Sequence, residues 1–313
     1  MVGKRDMKNK IESIKKEIAK AVVGQEEMVN GLLIGLFSEG HILVEGVPGL
    51  AKTTTVKALS LALDLEFKRV QFTPDLLPSD IIGAEIYDPK SSSFKIKKGP
   101  IFTQLLLADE INRSPSKVQS ALLEAMQERQ VTIGAESFAL PKPFMVMATQ
   151  NPLEQEGVYR LPEAQLDRFM MKLLIEHNSE EEELEIMRRI ANKSSLAIAS
   201  IVDAKELETI SQEINSLHID AEVERFIVAL IRATRVSNQN IRYGASPRAS
   251  IDLYKASKAH AYLLGKDFVS PVDVVKMVYP VLRHRVGLSY EARAKGVRVD
   301  EVLKEVISGV EIP

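Results

Sequence analysis

The 313-residue chain contains no cysteine, which excludes disulfides, thiolate catalysis and zinc–sulfur sites while permitting a reducing compartment. It also has little net charge. Forty-one Lys and Arg against 43 Asp and Glu leave a formal −2, so no global attraction to nucleic acid or anionic membrane is expected, and only local basic loops stay open. No stretch approaches the roughly 18 consecutive apolar residues of a spanning helix. The N-terminus, Met1-Val-Gly-Lys-Arg-Asp-Met-Lys-Asn-Lys, has no apolar signal-peptide core, and the expectation is a cytoplasmic protein. His41, His177, His218, His260 and His284 are scattered without ligand spacing and read as structural or surface residues.

What the chain does have is 45% hydrophobic and 27% charged residues, a soluble globular balance, over a length sufficient for two domains. Its most informative stretch is Gly46-Val-Pro-Gly-Leu-Ala-Lys52-Thr53, set between the apolar run His41-Ile-Leu-Val44 and the helix-favouring run Thr54-Val-Lys-Ala-Leu-Ser-Leu-Ala. A strand feeding a tight turn that opens a helix aims backbone N–H groups and the helix dipole at one spot, and Lys52 adds a mobile cation. Such a spot binds polyphosphate. The phosphate-loop pattern G-x-x-x-x-G-K-[ST] is met at Gly46, Lys52 and Thr53, with Ala51 in place of its second glycine.

A second element supports the first. The apolar run Gln104-Leu-Leu-Leu-Ala ends in Asp109-Glu110, and Mg-nucleotide chemistry needs one carboxylate for the metal and another to polarise an attacking water. Asp109 fits the first role and Glu110 the second. Alone, the dipeptide reads as a solvated strand end; beside the phosphate loop it points to a nucleotide hydrolase.

Along the chain, Ile11, Ile14, Ile18 and Val22 recur at helical spacing, and a second helix is expected over 26–37. Strands are expected near 41–44, 65–72, 104–109, 144–149 and 170–175. Their alternation with helices predicts an α/β fold, a five-stranded parallel sheet covered on both faces, over residues 1–176. Two turn-centred pairs of alternating runs, 84–97 and 130–140, read as inserted hairpins. Beyond Ser179, which opens a capping box with Glu182, only helices are expected, near 204–214, 220–237, 247–264 and 271–286. Residues 177–313 thus form a second, all-α domain.

These features together resemble the AAA+ ATPases, and particular strings resemble the MoxR family: Gly46-Val-Pro-Gly-Leu-Ala-Lys-Thr53, Leu107-Ala-Asp-Glu-Ile-Asn-Arg113, Gln119-Ser-Ala-Leu-Leu-Glu-Ala-Met-Gln-Glu128, Ala148-Thr-Gln-Asn-Pro-Leu-Glu-Gln-Glu-Gly157 and Leu161-Pro-Glu-Ala-Gln-Leu-Asp-Arg-Phe169. The resemblance covers nearly the whole chain, and Ala51 is common in MoxR-type loops. It implies that ATP is held by Val23, Gly24 and Gln25 on the adenine side and by Gly46, Val47, Pro48, Gly49, Leu50, Ala51, Lys52, Thr53 and Thr54, with Mg²⁺ on Thr53 and Asp109. It further implies Asn151 as the sensor that orients the attacking water, a residue that reads equally well as a cap of the turn before Pro152. By the same resemblance Arg168 is an arginine finger reaching a neighbour's nucleotide; without it, Arg168 reads as a surface ion-pair partner. Arg248, in Ser246-Pro-Arg248, resembles the second sensor, acting within its own subunit or on the next. Arg113 and Arg160 are further interface candidates.

The implied assembly is a homo-hexamer with an α-helical lid on each subunit, remodelling or maturing a separate client protein, often one with a von Willebrand A domain or a metal centre. The chain carries no D-x-S-x-S metal-adhesion motif of its own. Two alternatives stay open. One is a DNA-acting or metal-chelatase-type motor, supported locally by Lys90, Lys95, Lys97 and Lys98. The other is a nucleotide-switched scaffold with little turnover, against which Glu110 speaks.

Overall fold

The computed structural model describes residues 2–152, 158–191, 197–236 and 238–313; residues 153–157, within the Ala148–Gly157 string, and Ser237, at the end of the helix expected over 220–237, lie outside the described residues. The chain starts with helices α1 (Val2–Ala21) and α2 (Glu26–Phe37), then strand β1 (Ile42–Glu45), α3 (Lys52–Ala62) and β2 (Phe67–Gln71). A short α4 (Pro78–Ile82) precedes the hairpin β3 (Gly83–Asp88) and β4 (Ser93–Lys98). Then come β5 (Leu105–Asp109), α5 (Ser116–Glu128), a second hairpin β6 (Gln130–Ile133) and β7 (Glu136–Ala139), β8 (Met145–Gln150), the single turn α6 (Glu163–Leu166) and β9 (Met171–Leu174).

Five of these strands form one parallel sheet in the order β2-β5-β8-β1-β9. Being covered on both faces, its inner strands are continuously apolar rather than alternating. Ile42, Val44, Leu105, Leu107, Met145 and Met147 pack with α1, α2 and α3 on one face, while Leu43, Leu106, Ala108, Val146 and Ala148 pack with α5 on the other. Ile11, Ile14, Ile18 and Val22 are all buried, as their spacing predicts. Helix α2 lies very close to the sheet: a Cβ on Gly31 would stand 2.5 Å from Leu173 Cδ1, and one on Gly35 2.5 Å from Ile42 Cδ1. Any larger residue at either position would have to push those side-chain ends aside.

Both hairpins form where alternation predicts them, as antiparallel pairs with Glu85 opposite Ile96 and Val131 opposite Phe138. The first carries an exposed edge-to-face pair, Tyr87 on Phe94, with ring centroids 5.4 Å apart.

From Glu180 the chain is mainly helical: α7 (Glu180–Ala191), α8 (Ala204–Asn215), α9 (Ala221–Ala233), then strand β10 (Ile241–Tyr243), α10 (Pro247–Leu263), α11 (Pro271–Leu282), strand β11 (Gly287–Leu288), α12 (Tyr290–Ala294) and α13 (Val299–Ser308). The capping box forms, Ser179 Oγ accepting from Glu182 N–H at 3.3 Å and Glu182 Oε2 from Ser179 N–H at 2.9 Å. Among the described residues the all-helix expectation holds apart from an isolated bridge between His218 and Phe268 and the antiparallel pair β10–β11, whose strands are too short for a period-two pattern to register. Helices α12 and α13 were not expected either. Among the described residues no helix is long and apolar enough to cross a membrane.

Candidate functional site

At the carboxyl end of the sheet, β1 runs into the turn Gly46–Ala51 and then into α3. Gly49 takes φ +90° and a Cβ there would meet nothing within 4 Å, so the turn faces open space. Ala51, at the cap position of α3, sits at φ 53° with no side-chain cap on the helix. The missing glycine of the motif therefore leaves an alanine in a left-handed conformation, at a cost of about 1–2 kcal/mol. With no side chain capping them, the first N–H groups of α3 are free to meet an anion.

Pro48, Gly49, Leu50, Ala51, Lys52, Thr53 and Thr54 line a cavity of about 390 Å³ together with Asp109, Glu110 and Asn151. Strand order explains the meeting, since the parallel sheet ends β5 and β8 on the same edge as β1. Lys52 Nζ donates to Gly46 O at 2.6 Å. Burial pushes its pKa down from the usual value, against the opposing pull of Asp109 and Glu110.

The two carboxylates are held by separate partners. Asp109 Oδ1 accepts from Thr149 Oγ1 at 2.6 Å, and Asp109 Oδ2 accepts from Arg69 Nη2 at 2.7 Å and Nε at 3.1 Å. Thr149 Oγ1 in turn accepts from Glu110 N–H at 2.8 Å. Glu110 itself is left-handed, at φ 57°, a strained conformation that concentrates at functional sites. Its Oε2 accepts from Gln71 Nε2 at 2.6 Å and from Arg113 Nη1 at 3.0 Å.

Sequence reasoning missed Arg69, Gln71 and Thr149, all of which line the cavity. The sequence shows only that Arg69 and Gln71 alternate along a strand; it takes the register of β2 on β5 to place Gln71 beside Asp109.

Other expected residues lie elsewhere. Gly46 and Val47 are not among the residues that line the cavity, Gly46 contributing its carbonyl to Lys52. Val23, Gly24 and Gln25 are also outside it, and Gly24 lines a separate groove between α1 and α2. They are tied to the segment after β9: Val23 O accepts from Asn178 Nδ2 at 3.0 Å and Gln25 Nε2 donates to Glu176 O at 3.2 Å. Arg168 donates to Leu123 O at 2.8 Å, and Arg248 is exposed at the start of α10. Neither lines the cavity of its own chain. A link joins their neighbours, Ser246 Oγ donating to Asp167 Oδ2 at 2.9 Å. Arg160 borders a different cavity of about 750 Å³, between the ends of β1, β8 and β9 and the segment around α11, β11 and α12.

Comparison with known proteins agrees with the fold. Residues 41–171 match the ATPase family associated with various cellular activities (AAA), and residues 232–306 match the AAA lid domain. The chain is 45% identical over 307 residues to chaperone MoxR1 of Mycobacterium tuberculosis, covering 95% of this chain and 81% of that one. This chain belongs to the MoxR family of AAA+ ATPases. Protein MoxR of Methylorubrum extorquens is 29% identical, across 98% of this MoxR-family chain and 96% of its own length. The crystal structure of a Cytophaga hutchinsonii protein assigned as an ATPase superposes with a TM-score of 0.93 at 48% identity, covering 99% of this chain and 97% of that one.

For a divalent ion, the Thr53 hydroxyl and the Asp109 carboxylate are hard oxygen donors among the residues lining the cavity. That chemistry fits Mg²⁺, which takes one or two protein ligands and fills the rest with water and phosphate oxygens.

Proposed function

We propose that this MoxR-family chain hydrolyses ATP with the help of a neighbouring copy, in a homo-hexameric ring, and uses the energy to remodel a separate client protein. The observation that carries this reading is a division: one cavity gathers the phosphate turn, Asp109, Glu110 and Asn151, while Arg168 and Arg248 stand outside it. A head-to-tail interface gives every cavity the same two arginines from the next subunit, and such interfaces close into rings. Six members is what the family resemblance implies. In this reading the nucleotide-binding domain is 1–176 and the lid 177–313.

The N–H groups of residues 49–54 and Lys52 hold the phosphates, and Thr53 and Asp109 hold Mg²⁺. A Mg²⁺ held there would supply positive charge against the phosphates. Val23, Gly24 and Gln25 meet the adenine side once the segment around Asn178 gives way. Glu110 accepts the proton of the attacking water, and Asn151 orients that water against the γ-phosphate. For this Glu110 must first leave Gln71 and Arg113. Arg168 and Arg248 arrive from the neighbour to offset charge in the transition state. The hairpins at β3–β4 and β6–β7 turn toward the client, a role suggested by the exposed Tyr87 and Phe94 and by the relative named as a chaperone.

A complementation assay tests the shared site. Glu110→Gln and Arg168→Ala are each expected to be inactive alone and to regain ATPase activity when mixed, because a cavity with Glu110 then meets a neighbour with Arg168. Mixtures as inactive as their components would refute sharing.

A further inference from the structure

Among the described residues lining the cavity, Arg69 is the one cation that hydrolysis as proposed does not use. Its guanidinium holds Asp109 Oδ2 through both Nη2 and Nε, and Nη2 also donates to Gln71 Oε1 at 3.0 Å. Asp109 is well shielded, its side chain 14% exposed, and its other oxygen is taken by Thr149. Both oxygens of the carboxylate that would hold Mg²⁺ are thus engaged, one of them by a permanent positive charge.

A divalent cation approaching Oδ2 meets that charge at close range and must displace it. Displacement is sterically open: β2 is the edge strand of the sheet, and the Arg69 side chain is 48% exposed. The other basic groups nearby are committed elsewhere, Lys52 to Gly46 O, Lys68 to Glu66 and Arg113 to Glu110.

We propose that Arg69 is a tethered cation that competes with Mg²⁺ for Asp109, and so sets the metal concentration at which this chain retains nucleotide. The inference rests on the ATPase reading of the cavity. It adds a consequence: when Arg69 leaves Asp109 it also frees Gln71, whose other end holds Glu110. Metal arrival then loosens one of the two holds on Glu110, the Gln71 amide, and leaves the Arg113 ion pair in place.

The test is equilibrium binding of a fluorescent ADP analogue, mant-ADP, as free Mg²⁺ is varied, for the full chain and for Arg69→Gln and Arg69→Lys. Loss of a half-exposed forked ion pair is expected to lower the Mg²⁺ midpoint about five-fold in Arg69→Gln. Arg69→Lys, which keeps the charge and loses the fork, should fall between. At saturating Mg²⁺ the three proteins should bind mant-ADP alike. An unchanged midpoint would overturn the proposal. So would a raised midpoint with weaker binding at every Mg²⁺ concentration, which would make Arg69 a phosphate ligand. A native chain that bound no mant-ADP at any Mg²⁺ concentration would instead overturn the ATPase reading.

Discussion

Arg285, just after α11, is only 4% exposed, and it joins the helical region to the loop that carries Arg168. Its Nη2 donates to Asp252 Oδ2 at 2.5 Å, to Phe169 O at 2.9 Å and to Asp167 O at 3.0 Å, while Nε lies 2.8 Å from Asp167 Oδ1. Arg285→Ala would leave the largely buried carboxylate of Asp252 without its partner and take a donor from the Asp167 and Phe169 carbonyls, the latter keeping His284 Nε2 at 2.8 Å. Breaking a buried pair from one side costs about 3–5 kcal/mol, a large fraction of the 5–15 kcal/mol that holds a typical domain. Urea unfolding followed by circular dichroism measures it. Burial already raises the Asp252 pKa, and the Arg285 charge pulls it back, so in Arg285→Ala it should rise further. A carboxyl whose folded pKa exceeds its unfolded value binds more protons in the native state, and the deficit should therefore shrink as pH falls through the raised value. Adding Asp252→Asn to Arg285→Ala should recover part of the loss at neutral pH. A deficit below about 1 kcal/mol, the size of an exposed pair, and no pH dependence would refute this reasoning.

Three further outcomes are expected. Ala51→Gly should relieve the left-handed strain at the head of α3 and, after the extra freedom of the unfolded chain, stabilise by up to about 1 kcal/mol in urea unfolding; a loss would show that the Ala51 methyl makes packing contacts worth more than the strain. His41, 5% exposed, accepts from Val146 N–H through Nδ1, and burial holds its pKa at about 3; burial likewise drives His284 well below its usual value. The unfolded chain takes up these protons first, so each histidine should remove about 1.3 kcal/mol of stability between pH 7 and pH 5.5, and a flat profile in that window would contradict their neutral burial. Thr149→Val deletes the hydroxyl bridging Asp109 Oδ1 and Glu110 N–H; losing a bond to a charged group costs about 1.5–3 kcal/mol, a ten- to hundred-fold drop in turnover, and normal turnover would deny that Thr149 positions the pair.

The phosphate turn, the acidic strand end and the five-strand sheet were legible because each depends on residues adjacent in sequence: a run, a turn, a helix start. Both hairpins were legible for the same reason, alternation around a turn. Arg69, Gln71 and Thr149 were not, because their importance comes from register. Gln71 meets Asp109 only once β2 and β5 pair across the inserted β3–β4 hairpin, and no local pattern encodes that distance. The β10–β11 pair hid in strands of three and two residues. It also rests on a contact between distant positions, since any Cβ on Gly287 would fall 2.0 Å from the Tyr243 ring. The left-handed backbone at Ala51 and Glu110 was equally hidden, one residue departing from its motif and the other bearing a side chain that ordinarily avoids that conformation.

The central claim is a site completed by a neighbour, and steady-state ATPase rate against protein concentration tests it most directly. Specific activity should rise with concentration as subunits associate, and should collapse in both Arg168→Ala and Glu110→Gln. A rate per subunit that is independent of concentration and unaffected by Arg168→Ala would contradict the shared site and leave a self-sufficient nucleotide switch.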